Sequence, residues 1–237
     1  MGLNGERIDF GKIDKFLLGQ PGADDIIREC SKYDTDDLKR VLVSIGRKRC
    51  TDSSFVIDDD NRFAYENIFK WCIGDDSILA LNPFSGKTEK GSLTKGIYIA
   101  GPTGTGKTMC LNIFRTFLDA IGAMVTIAGR GRYMLAWTTF FAGYLSQNCQ
   151  DFGNVTWTND YPVICIQDMG SEMKTVNHYG TQSNAIERII QMRGDQNMLT
   201  MITSNYRIQG SPYGNRIESR LCKMCNYYEI KGKDRRR

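Results

Sequence analysis

Gly101-Pro-Thr-Gly-Thr-Gly-Lys107-Thr108 follows directly on the apolar run Ile97-Tyr-Ile-Ala100. The octapeptide fits G-x-x-x-x-G-K-[ST], the phosphate-binding P-loop. Glycines at these spacings let backbone N–H groups turn inward as an anion nest. A helix starting at the loop's end aims its positive dipole end at the same phosphates. Lys107 is placed to reach the terminal phosphates and the Thr108 hydroxyl to bind Mg²⁺. The flanks agree. An apolar strand precedes the loop, and Leu111, Phe114, Leu118 and Ile121 follow at helical spacing, with Gly122 as a stop. The nucleotide-binding stretch is therefore read as Gly101, Pro102, Thr103, Gly104, Thr105, Gly106, Lys107, Thr108 and Met109.

The chain has 237 residues and a formal net charge of +4. That length suits one domain with an appendage and a sizeable core. The mild basicity permits nucleic-acid contact without arguing for it. Its 8 cysteines form no dense framework and no signal-peptide pattern opens it, so reduced thiols in a cytoplasm are expected. Cys222-Lys-Met-Cys225 is a lone CxxC with no second ligand pair beside it, which speaks against zinc or redox chemistry. No apolar run reaches the roughly 18 residues needed to cross a bilayer, so no membrane role is expected. His178 is the only histidine, which excludes histidine-based triads and multi-histidine metal sites.

Residues 1–90 are weakly patterned and are read as a small, mostly helical N-terminal region that binds a partner or serves as a linker. Asp36–Ile45 and Phe63–Ile73 read as helices, and 74–95 as a loop. Residues 91–237 form the second unit. There strands at 97–100, 124–128, 162–166, 199–203 and 227–230 alternate with helices at 107–121, 133–145, 183–192 and 213–224. Such alternation predicts an α/β fold, a five-stranded parallel sheet with helices on both faces.

The third of these strands ends in Gln167-Asp168-Met169-Gly170-Ser171-Glu172. An apolar strand delivering an acid at its C-terminal end, after a P-loop, is where a Walker B carboxylate belongs; it holds Mg²⁺ or orients water. The fourth strand ends Thr203-Ser204-Asn205, where Asn205 can meet the terminal phosphate or the attacking water. Arg216 and Arg220 follow on one helix face, and arginine suits planar, charge-dense recognition. The chain closes on the basic run Gly232-Lys-Asp-Arg-Arg-Arg237.

GIYIAGPTGTGKT, IQDMGSE, MITSN, YGNRIESRL and GKDRR occur in this order. Together they resemble the DnaC-type ATPases of the AAA+ superfamily, bacterial and phage helicase loaders with the related IstB-type transposition helpers. The resemblance covers about Gly96–Arg236. It implies an AAA+ P-loop core with no separate C-terminal lid, ATP and Mg²⁺ as cofactors, slow hydrolysis, and a bacterial or phage-infected cytoplasm. It implies a homo-oligomer in which an arginine of one subunit completes its neighbour's site in trans. Carried over by motif, Lys107 and Thr108 are the Walker A residues, Asp168 the second Walker B acid and Asn205 the first sensor. Arg220 is then the arginine finger with Arg216 its alternate, and Arg236 the terminal sensor. The family places two acids at the Walker B end where this chain has Gln167-Asp168. Neutral Gln167 can still meet Mg²⁺ through a metal-bound water. Asp168 can serve the metal instead, with Glu172 as the base.

The leading expectation is an ATPase that loads a replicative helicase onto single-stranded DNA. The alternatives are a transposition helper and a nucleotide-gated scaffold with little hydrolysis. A small-molecule kinase would need a second substrate pocket and a lid, and the Asn205 and Arg220 motifs argue against it. The resemblance implies DNA contact, and modest local charge offers Arg130, Arg132 and Lys174 for it, with His178 and Tyr179 in the same loop as Lys174; an aromatic beside basic residues can stack on a base.

Overall fold

The computed structural model describes residues 26–29, 33–50, 55–127, 130–172, 176–178 and 181–235. In chain order the elements are β1 (Ile26–Glu29), α1 (Thr35–Arg49), α2 (Arg62–Ile73), β2 (Leu79–Leu81), β3 (Thr88–Lys90) and β4 (Gly96–Ala100). Then come α3 (Lys107–Ile121), β5 (Met124–Ile127), β6 (Gly131–Met134), β7 (Thr138–Phe141), α4 (Ala142–Phe152) and β8 (Ile164–Met169). The chain continues through β9 (Val176–His178), β10 (Thr181–Ser183), α5 (Ala185–Asp195), β11 (Thr200–Ser204), α6 (Asn215–Met224) and β12 (Cys225–Glu229).

The main sheet has the order β3-β2-β12-β4-β11-β8-β7. From β12 to β7 all neighbours are parallel, giving the five-stranded parallel core the alternation predicts. The middle strands β4 and β11 are buried at every position because they are covered on both faces. Along β4, Ile97 and Ile99 join one core with α1, α2 and α3. Tyr98 and Ala100 join the other, with α4, α5 and α6. Thus one strand seeds both layers through its period of two residues.

Several predicted elements differ. Residues 133–145 are not one helix: they span the end of β6, then β7, and α4 begins only at Ala142. Thr138-Thr-Phe-Phe141 is β-branched and aromatic, and pairing with β8 takes this stretch into the sheet. Residues 124–127 are a strand, but not one of the parallel core. β5 pairs antiparallel with β1 and β6 in a separate sheet, and β7 takes the expected place at the edge. Residues 74–95 are not all loop, because β2 and β3 form a hairpin that extends the main sheet past β12.

The N-terminal helices lie close to their predicted positions. Asp34 caps α1 by accepting from the Asp36 and Asp37 N–H groups, and α1 runs to a basic last turn, Arg47–Arg49, that suits its dipole. The helix expected at 183–192 begins at Ala185, after Asn184 accepts from the Glu187 N–H at 3.1 Å. Buried Arg193 on α5 donates to the Thr158, Tyr161, Pro162 and Leu199 carbonyls and to Thr200 Oγ1. It ties the approach to β8 to the start of β11, the two strands that carry Asp168 and Asn205. No helix among the described residues is long and apolar enough to cross a membrane.

Candidate nucleotide site

The loop after β4 is held open by its glycines. A Cβ at Gly101 would sit 2.1 Å from the Ile230 carbonyl oxygen, so no larger residue fits there. Gly104 has φ 82°, in the left-handed region that side chains disfavour. Gly106 caps α3 without any side-chain cap bond, which leaves the first N–H groups of α3 to an anion. Lys107 is buried, and its ammonium donates to the Gly101 carbonyl at 2.7 Å, the Pro102 carbonyl at 2.8 Å and Asn205 Oδ1 at 2.8 Å. Glycine curvature, an uncapped helix start and a buried cation fit a polyphosphate.

A cleft of about 750 Å³ opens beside this loop. Its lining includes Thr103 to Met109, Asn112, Asp168, Ser171 and Asn205, together with the less polar Cys50, Phe55, Val56, Tyr65 and Ile230. The first group suits phosphates and the second a flat, apolar base.

The strand ends converge there because of register. Ser204 of β11 pairs with Ala100 of β4, so the next residues, Asn205 and Gly101, emerge side by side. Between Ile202 and Ser204 the register with β8 shifts, and there Asp168 takes φ 55°, in the left-handed region. Its N–H donates to Thr203 Oγ1 at 3.0 Å, and its carbonyl accepts from Ser171 Oγ at 2.6 Å. Bends of this kind re-aim side chains at sites.

Gln167 lies beside the cleft, not on its wall. It is buried and donates from Nε2 to Asn112 Oδ1 at 3.1 Å. Asn112, one turn past Thr108 on α3, lines the cleft itself. Glu172 is held at another place. It accepts from the Gly170 N–H at 2.7 Å and from the Tyr213 hydroxyl. Burial, then the bond to Glu172, pushes the Tyr213 hydroxyl upward, so it stays a donor. Thr108 and Asp168, with water and phosphate oxygens, are the donors an Mg²⁺ ion would find. Mg²⁺ keeps several waters and needs few protein ligands. No group of three or more His, Cys, Asp or Glu side chains suited to a metal occurs among the described residues.

The basic residues divide. Arg220 Nη1 bonds Asp195 Oδ1 at 2.8 Å across α6 and α5, and neither Arg220 nor exposed Arg216 lines this chain's own cleft. Arg236 lies outside the described residues. Its neighbour Arg235 does line the cleft, with its N–H bonded to the Gly104 carbonyl at 3.0 Å. Arg235 Nη2 donates to both carboxylate oxygens of Asp58, at 2.8 and 2.9 Å. This bond holds the Asp58 carboxyl below the usual carboxylate range.

The expected DNA contacts fare unevenly. Arg132 is forked onto Glu29, at 2.9 and 2.6 Å, and Arg130 bonds Gln196 Oε1 at 2.7 Å. Lys174 and Tyr179 lie outside the described residues, and His178 ends β9. Cys222 and Cys225 are free thiols, and burial pushes Cys225 up to about 12, which makes it inert as a nucleophile.

Sequence reasoning missed Asn112, Asp58, Phe55, Tyr65 and Arg235. Asn112 had a signal, since it stands one turn beyond Thr108 on the same helix face. Arg235 was indistinguishable from Arg236 in a run of arginines. Asp58 and Phe55 had no signal, because their place depends on how the N-terminal segment folds back.

No protein-family model and no curated protein sequence matches the chain. Among solved structures it is similar to DnaI, with a TM-score of 0.50 and 19% identity over 83% of this chain and 93% of that one. The DnaC helicase loader aligns with a TM-score of 0.47 and 19% identity over 74% of this chain and 92% of that one. AMPPCP-bound DnaA from Aquifex aeolicus aligns at 0.46 and 16%, over 75% of this chain and 48% of that one. The chain shares its α/β P-loop fold with DnaI.

Proposed function

We propose that this protein is an ATP-binding, slowly hydrolysing AAA+ ATPase of DNA replication that loads a replicative helicase onto single-stranded DNA. The observation that carries the nucleotide reading is the convergence of Lys107, Asn205 and Asp168 on one cleft beside an uncapped helix start. ATP would supply a triphosphate whose cleavage changes the charge held there. Lys107 and the α3 N-terminus would hold its phosphates, and Thr108 and Asp168 the Mg²⁺. Asn205 would orient the terminal phosphate or the attacking water, and Phe55, Val56 and Tyr65 would shield the base.

The helicase and DNA parts rest on the ordered motifs that resemble the DnaC-type loaders, and on those alone. The arginine finger belongs to the same resemblance. Arg220 or Arg216 of one copy would meet the nucleotide of the next, in keeping with neither of them lining its own cleft. A transposition helper has the same core, and a scaffold that scarcely hydrolyses ATP would follow from neutral Gln167. Steady-state phosphate release with and without single-stranded DNA, and capture of a purified hexameric helicase against a purified transposase, test the reading. DNA-responsive turnover with helicase capture is expected. Capture of the transposase alone would move the protein to the other group, and absence of turnover would leave only the scaffold.

A further inference from the structure

We propose that Asp58 is a positioning residue that fixes Arg235 as a phosphate ligand of the cleft. The proposal rests on the nucleotide reading above and adds to it a link from the N-terminal segment to the phosphates. Arg235 sits on a tail that leaves the sheet after β12, and a long side chain there has many rotamers to lose. The tail is pinned at successive points. The Lys231 N–H donates to the Asp60 carbonyl at 3.1 Å, and the Arg235 N–H to the Gly104 carbonyl at 3.0 Å. Asp58 then grips Nη2 with both oxygens, leaving Nε and Nη1 for a ligand.

The anchor is itself rigid. The Asp58 N–H donates to Asn61 Oδ1 at 3.0 Å, the Asp58 carbonyl accepts from the Arg62 N–H at 2.7 Å, and the Asp60 N–H donates to Asp58 Oδ1 at 3.2 Å. Arg235 Cδ lies 3.9 Å from where a Cβ on Gly106 would stand, which puts the side chain against the phosphate loop. A guanidinium with one edge anchored and others open is preorganised to meet phosphate oxygens. The Asp58 carboxylate is partly exposed, so solvent screens its repulsion of the ligand. Any partner that shifts residues 55–61 would thereby change the grip on phosphate.

The test is competition of ATP and of inorganic tripolyphosphate against a fluorescent ATP, with the full chain. Tripolyphosphate has no base, so damage to the apolar wall does not enter its affinity. Asp58→Asn and Arg235→Gln should each weaken both ligands about tenfold, the scale of one charge-assisted hydrogen bond. The double variant should bind no worse than either single one, since the pair acts as a unit. Asp58→Glu should recover part of the loss. Nucleotide-free melting temperatures show whether each variant is folded. If Asp58→Asn binds both ligands like the parent while Arg235→Gln does not, or if the two losses multiply, Asp58 does not position Arg235. If the parent binds neither ATP nor tripolyphosphate, the site reading falls and this proposal with it.

Discussion

Lys107 Nζ and Asn205 Oδ1 lie 2.8 Å apart although 98 residues separate them in the chain. The contact follows from the parallel pairing of β4 with β11, which delivers the residue after each strand to the same point. It joins the P-loop lysine to an amide at the end of the neighbouring strand, and both residues line the cleft.

Asn205→Ala should therefore leave ATP affinity within about tenfold of the parent and lower turnover by roughly 10²-fold, the cost of losing one preorganised donor. Asn205→Asp should do the reverse to binding, since a carboxylate beside Lys107 both engages the ammonium and repels the terminal phosphate. Equilibrium titration and single-turnover hydrolysis of both variants check this. Equal loss of binding and turnover in Asn205→Ala would mean the amide only holds the loop in shape.

Gln167→Asp should raise turnover and tighten the Mg²⁺ dependence. The side chain at 167 donates to Asn112, which lines the cleft; an aspartate, one methylene shorter, would give up that contact and bring a negative charge to this end of the cleft. Asp168→Asn should be more damaging than Glu172→Gln, because Asp168 lines the cleft while Glu172 is held by Tyr213 and the Gly170 N–H. Phosphate release over an Mg²⁺ titration decides it. A fall in turnover for Gln167→Asp, with Glu172→Gln the worst variant, would make Glu172 the base.

Arg220→Ala mixed with Lys107→Ala should regain turnover that neither variant has alone, since each subunit keeps what the other lacks. Losing an arginine finger costs about 10³–10⁵ in well-studied phosphoryl transfer. The break of the 2.8 Å bond to Asp195 should cost little stability, as partly exposed ion pairs contribute about 0–1 kcal/mol. No recovery in mixed oligomers that demonstrably form would remove Arg220 and the trans arrangement together.

Much of the site was legible in the sequence because it sits at strand ends. Local apolar runs mark β4, β8 and β11, and the residue after each run is then a candidate. The path between α3 and β8 was not legible. Tyr133–Leu145 has aromatic residues at spacings a helix tolerates, and only the vacant sheet edge beside β8 draws Thr138–Phe141 into a strand. β5 read correctly as a strand and wrongly as a core one, since its partner β1 lies far off in the weakly patterned N-terminal region. The part of the cleft wall supplied by the N-terminal segment was not legible for the same reason. Phe55, Asp58 and Tyr65 reach the P-loop by chain reversal, which leaves no periodic trace.

Arg193→Met should destabilise the fold by about 3–5 kcal/mol, because buried acceptors left without a donor cost roughly 1–3 kcal/mol each. The carbonyls of Thr158, Tyr161, Pro162 and Leu199 would all lose this donor. Urea unfolding measures it. A change under about 1 kcal/mol would show that water or a shift of the turn before β8 replaces the guanidinium.

The most direct test of the nucleotide site is a fluorescent-ATP titration of the parent and of Lys107→Ala, with and without Mg²⁺, on protein shown to be folded by its melting curve. The parent should bind saturably, more tightly with Mg²⁺, and Lys107→Ala should lose that binding. Thr108→Ala should keep binding but lose most of the Mg²⁺ effect. Unchanged ATP affinity in folded Lys107→Ala would contradict the assignment of this cleft to a nucleotide.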